Sequence, residues 1–344
     1  MRRILRKIAE NYAAQNIRHA RVATSSFLNP EWFAQAIEAI DEIENGTKNA
    51  DGSRNDDAIR TADGHAVQLR GLVGLQRQSS PQQTLLDIEK IKFLAQHPYI
   101  RGCDLMGNET NSVSDFHWAL ANLAMWARAP ENTTLNPNDG WNFKEDFLIR
   151  VHAGETAKNP QNVTDAVRVA HEHKVQVGIG HAQTENLSKH EYDMLADMKN
   201  REGKPDPITD EMNPNDWVFF EKCPDSNPFY RMQPLVHQVV IKKHLDKAHC
   251  VFGQDGNGMV HTSPRQLAFS ALAAGCTLED LASCRTYETE MLEREQARFD
   301  RKSKAFATVF ASNEAFCEAY RKFNPKTHIA AKFKEKIGDK SIDK

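Results

Sequence analysis

The chain has 344 residues, 40% hydrophobic and 26% charged, an ordinary composition for a soluble globular fold with a sizeable core. Lys and Arg number 44 against 47 Asp and Glu, a formal charge of -3, which excludes a broad positive field for nucleic acid. No long apolar run offers a membrane span, and the basic start Met1-Arg2-Arg3-Ile4-Leu5-Arg6 lacks the apolar stretch of a secretory signal.

In chain order, a helix-like segment at 4–15 comes first. Short apolar runs then alternate with amphipathic stretches, the pattern of βα units and a parallel sheet. Strands are expected near 20–24, 67–75, 100–105, 147–152, 175–180, 217–221 and 249–253. Helices are expected at 30–43, 81–95, 115–127, 160–171, 189–199 and 232–245. Pro81 and Pro160 suit a first helical position, where a missing N–H costs nothing. Polar stretches near 45–65, 130–142 and 201–215 read as surface insertions in a single domain spanning 1–344. The charged tail from about Leu278 reads as helical and packed outside the sheet, with 285–344 as a C-terminal extension.

Six cysteines (Cys103, Cys223, Cys250, Cys276, Cys284 and Cys317) form no CxxC pair, which points to reduced thiols and a cytoplasmic location. Triplets such as Asn132-Thr133-Thr134 carry no weight without a secretory signal. Seven strands are one short of a closed (β/α)8 barrel, whose open seam would expose unpaired backbone groups. The sequence looks as though it starts one strand late.

Reacting groups in parallel α/β folds gather at the carboxyl ends of the strands. Those ends carry Asp104-Leu105-Met106-Gly107-Asn108-Glu109, His152-Ala153-Gly154-Glu155-Thr156, Gly180-His181-Ala182, Glu221 through Asn227, and Gln254-Asp255-Gly256-Asn257-Gly258. Such polar groups are costly to bury unpaired, and a divalent cation with an activated water is the simplest shared partner.

HAGE at 152–155, IGHA at 179–182, CPDSN at 223–227, DLMGNE and the QDGNG turn resemble the adenosine and AMP deaminase family, a zinc-dependent (β/α)8 barrel of the amidohydrolase group. The resemblance runs collinearly from about Arg18 to Thr286. It implies His152 and Asp255 as ligands of one Zn2+ and Glu155 as the group that protonates the purine ring. It also implies His181 as the group that orients and deprotonates the attacking water, with Asp255 beside it in the catalytic set. Gly107 and Asp104 are implied to lie against the substrate, and Ser226 and Asn227 to shape the strand-six loop. The HxE and PCxxC ligands of the other nucleobase-deaminase fold are absent.

Two departures stand out. The family's first strand ends in His-x-His, and none precedes residue 20 here. The chain's His171-Glu172-His173 falls at an expected helix end and reads as a solvated terminus. Asp255 is followed by Gly256 where the family has a second Asp, which puts adenosine itself in doubt as the substrate. A calcium loop at 255–266 fails for want of its glycine, Val260 standing at that position, and of its closing glutamate. The expected function is zinc-dependent deamination of a purine nucleoside or nucleotide, with the missing strand and two histidines supplied by an N-terminal segment, a complementing chain or a homo-oligomer. The alternatives are a non-catalytic barrel that binds a nucleoside or serves in an assembly, and another metal-dependent hydrolase of the same group.

Overall fold

The computed structural model describes residues 1–129, 147–156, 158–183, 185–223, 241–253 and 263–338. Strands form where the short apolar runs lie: β1 (His19–Thr24), β2 (Gln68–Gln76), β3 (Ile100–Met106), β4 (Leu148–Ala153), β5 (Gln176–His181), β6 (Val218–Lys222) and β7 (His249–Phe252). No strand end is displaced by more than one residue from its expected place. Each strand pairs in parallel with the next, so the sheet order is the sequence order, β1 to β7. A parallel sheet that always steps the same way, with helical crossovers of one hand, curls into a barrel wall. The result is an incomplete (β/α)8 barrel. Among the described residues β1 and β7 each have one strand neighbour, and they are the free edges of the wall.

Helices α1 (Arg2–Ala14), α2 (Pro30–Asn45), α3 (Pro81–Leu94), α4 (His117–Arg128), α5 (Gln161–His173), α6 (Lys189–Arg201) and the short α7 (Lys242–Leu245) intervene. Their starts are written locally. Asn29 accepts from the backbone N–H of Glu31 and Trp32, and Ser80 from that of Gln83 at 3.2 Å, each just ahead of a proline at the first turn. Pro160 instead occupies the N-cap, one residue before α5 begins. Residues 232–240 of the expected helix at 232–245 and the insertion at 130–142 lie outside the described residues. The first insertion is a chain of turns knotted by Asp57, which accepts from the Thr47 N–H at 2.7 Å and its hydroxyl at 3.0 Å.

Two apolar layers result. On the outside, Val73, Ile149 and Ile179 of the strands pack in one fully buried cluster with Ile37, Ile88, Leu120 and Val167 of the helices. Each such side chain contributes on the order of 1.5–3 kcal/mol by leaving water. On the inside, Ala23, Leu72, Leu148, Phe219 and Val251 meet Tyr287 and Met291. The last two come from the tail, which departs from expectation. After α8 (Pro264–Ala273), the long α9 (Leu278–Val309) runs beneath the N-terminal ends of the strands rather than along an outer face. Tyr287 stacks on His249 at 4.0 Å, Arg294 pairs with Asp216, Gln296 accepts from Gln68 at 2.8 Å, and Lys302 donates to the Ile100 carbonyl at 2.8 Å. Helices α10 (Asn313–Lys322) and α11 (Pro325–Gly338) then pack against α2 and α3.

All six cysteines are buried. Among the described residues no helix is long and apolar enough to cross a membrane.

Candidate active site

Alternation along β4 sends Leu148, Arg150 and His152 to the inner face, and the parallel register sets Asp104 of β3 beside Arg150. His152 Nδ1 donates to Asp104 Oδ1 at 3.0 Å, while Arg150 Nη1 donates to Asp104 Oδ2 at 2.8 Å. Arg150 Nε also donates to Glu221 of β6, whose other oxygen lies 3.4 Å from Arg21 of β1. Burial alone would raise the Asp104 carboxyl, but the charges and hydrogen bonds of Arg150 and His152 hold it well below the usual carboxylate range. Burial likewise works against the Arg150 cation, and Asp104 and Glu221 more than offset it. Gly180 of β5 makes room for this group, since a Cβ there would come within 2.8 Å of Arg150 Nη2.

The turn after β4 is held from the neighbouring strand. The buried Glu109 carboxylate accepts three successive backbone N–H groups, those of Gly154 (3.1 Å), Glu155 (3.2 Å) and Thr156 (3.4 Å). Asn162 at the start of α5 fixes that loop in turn, donating to the Glu109 carbonyl and accepting from the Val113 N–H. Arg77 donates to the carbonyl of His152 and to that of Asn111.

His181 closes β5, fully buried, with left-handed backbone at both His181 (φ 68) and Ala182 (φ 44). Two consecutive non-glycine residues in that region are strained, and such strain clusters at functional sites. Lys222 holds the turn by donating to the carbonyls of Ala182 (2.6 Å) and His181 (3.3 Å), with His244 Nδ1 at 2.7 Å. Burial pushes the Lys222 ammonium down to about 7. The His181 and His152 rings are 5.4 Å apart between centroids, and His181 Nε2 is 4.0 Å from Glu155 Oε2.

Four expected site residues, Asp104, His152, Glu155 and His181, therefore meet at the C-terminal rim of β3 to β5. Asp255, Ser226 and Asn227 lie outside the described residues. Asp104, expected against substrate, sits wholly buried behind His152 and spends both oxygens on His152 and Arg150. Gly107 has φ 104, backbone that favours glycine, and faces the Gln78 side chain. Glu109 and Lys222 stood in the strand-end runs without an assigned role, and Arg150 escaped the sequence reading although it is spaced two from His152 on one strand face.

The rim opens into the seam between β1 and β7, a cleft of about 2070 Å³ walled by α1, α8 and α9, with Arg150, His152 and Glu221 on its inner side. Small-molecule pockets are usually no more than about 1,000 Å³. As a zinc site the described residues are incomplete. His152 has the orienting carboxylate that metal-bound imidazoles use, on Nδ1. Its Nε2, however, lies 3.1 Å from Arg150 Nη1, which is also 3.0 Å from Nδ1, so a guanidinium stands astride the ring where an ion would bind.

No family profile and no curated protein matches the sequence. Solved structures do. An amidohydrolase from Burkholderia ambifaria with bound zinc superposes with a TM-score of 0.55 at 15% identity, over 89% of this chain and 75% of that one. The adenine deaminase of Arthrobacter aurescens gives 0.54 at 16% identity, over 88% and 78%. The likeness is one of fold.

Proposed function

We propose that this chain is the larger part of a metal-dependent hydrolase that deaminates an adenine nucleoside or nucleotide, with zinc as its cofactor. The supporting observation is the meeting of His152, Glu155 and His181, with Asp104 behind, at the mouth of a barrel that shares its fold with a zinc amidohydrolase and an adenine deaminase. In this reading Glu155 delivers a proton to a ring nitrogen of the base. Water adds to the carbon bearing the amino group as His181 takes up its proton; His181 returns that proton to the amino group, the C–N bond breaks, ammonia leaves, and the hydroxyl proton of the adduct returns to Glu155 as the carbonyl forms. Lys222 and Glu109 fix the two turns that carry these groups. The remaining metal ligands arrive on an extended segment lying in the seam, from a further N-terminal segment, a complementing chain or a second copy. Among the described residues β1 and β7 are unpaired on the sides that face one cleft, which supports that part of the reading.

One observation favours a second reading, a non-catalytic barrel that binds a nucleoside or partner. Arg150 already neutralises Asp104 and Glu221 and shields His152. The deciding experiment measures ammonia release from adenosine, AMP and adenine with zinc supplied, alongside adenosine binding. Turnover that Glu155→Gln abolishes while binding persists supports deamination. Binding without ammonia from any of the three, in a well-folded chain supplied with the segment or chain that fills the seam, refutes it in favour of the second reading.

A further inference from the structure

The His-x-His segment at the end of α5 is the solvated helix terminus that its sequence implied, with His171 and Glu172 exposed and His173 half-buried. Its last two residues face α4, where His117 opens the helix. His173 Nε2 lies 3.4 Å from His117 Nε2, and Glu172 Oε2 lies 3.5 Å from the same His117 nitrogen. One ligand atom from each residue falls within 4.8 Å of the others. Zinc holds imidazole nitrogen and carboxylate oxygen at about 2.0–2.2 Å, and at tetrahedral angles two such donors are about 3.3–3.5 Å apart. Both measured separations match an edge of that tetrahedron.

The surroundings fit the same occupant. The neighbouring cation, Arg128, is committed to Glu211. Asp165, two turns earlier on α5, has a buried Oδ2 with no hydrogen-bond partner and interacts electrostatically with His117. A carboxylate near a ligating imidazole is the usual orienting partner. Side-chain exposures of 40% for His117 and 51% for Glu172 leave the fourth position open to water.

We propose that His117, Glu172 and His173 form a divalent transition-metal site, zinc by the character of its donors, that clips the start of α4 to the end of α5 in the outer helical layer. It is separate from the strand-end pocket and does not depend on the function proposed for that pocket. The bare ions test it. Cobalt(II) titrated into the EDTA-treated full chain gives the visible absorption of a tetrahedral ion at one equivalent. His117→Ala and His173→Ala remove that band, Glu172→Gln weakens binding by more than about tenfold, and His152→Ala leaves it intact. Zinc raises the melting temperature of the parent chain and of His152→Ala but not of His117→Ala. Circular dichroism confirms that the variants, altered at partly exposed positions, remain folded. The site is refuted if the folded parent binds neither ion, if His117→Ala and His173→Ala bind as the parent does, or if the band follows His152.

Discussion

Glu295 tests the brace under the barrel. Its buried carboxylate accepts from Arg101 Nε at 2.7 Å, from Arg298 at 3.0 Å and from Arg21 at 3.3 Å, joining β1, β3 and α9. Arg101 and Arg298 are each only 3% exposed at the side chain. Glu295→Gln keeps the shape and removes the charge, taking from three guanidinium groups the carboxylate they share in a site that water barely reaches. Breaking a buried pair this way costs on the order of 3–5 kcal/mol, which for a chain of 344 residues corresponds to a fall in melting temperature of roughly 4–7 °C. Burial opposes ionisation of Glu295, yet the arginines hold its carboxyl well below its ordinary value of 4.5. Its contribution is therefore complete above about pH 4.5 and is lost as pH falls through the depressed folded value. The parent and Glu295→Gln, unfolded in urea at a series of pH values, should differ by a constant amount above pH 5.5 and converge in acid. A difference below about 1 kcal/mol at pH 7, or one that ignores pH, refutes the assignment.

Glu109→Gln replaces an acceptor of three amides with a group that donates on one side, at a cost of about 1.5–3 kcal/mol. Hydrogen exchange at Gly154, Glu155 and Thr156 should quicken while the strand amides keep their protection. Lys222, depressed to about 7 by burial, binds fewer protons folded than unfolded between pH 7 and its ordinary 10.5. Relative to Lys222→Met, the parent should gain up to about 1.4 kcal/mol per pH unit across that window. A flat difference between the two would overturn the assignment. Arg150→Met removes the guanidinium that Asp104 and Glu221 share, leaving Asp104 to His152 and Glu221 to Arg21, and should destabilise the apo chain by about 3–5 kcal/mol. In a His117→Ala background, zinc should restore part of that loss through His152, and no thermal shift with zinc would count against His152 as a ligand.

The backbone plan was legible because each strand is a short apolar run, and helices such as α2 and α3 announce their starts with a capping side chain and a proline. The strand-end groups Asp104, His152, Glu155 and His181 were legible for a similar reason, since parallel topology sends every strand's carboxyl end to one rim. What stayed hidden was pairing across long separations. Arg21 reads as a polar interruption of β1 until Glu295, 274 residues later, is seen to meet it. His117 looks like any residue opening a helix, because its partner His173 is 56 residues away on another element. The course of α9 was equally unreadable, since its polar side chains are addressed to strand ends rather than to an outer apolar groove.

That course also governs the order in which the molecule can assemble. The first strand is made long before its anchor, because the carboxylate that holds it stands 274 residues later in the chain. A barrel locked by so distant a contact completes itself after translation rather than during it, and slowly. Until α9 arrives, the inward arginines of β1 and β3 stay wet, and the growing wall lacks its floor.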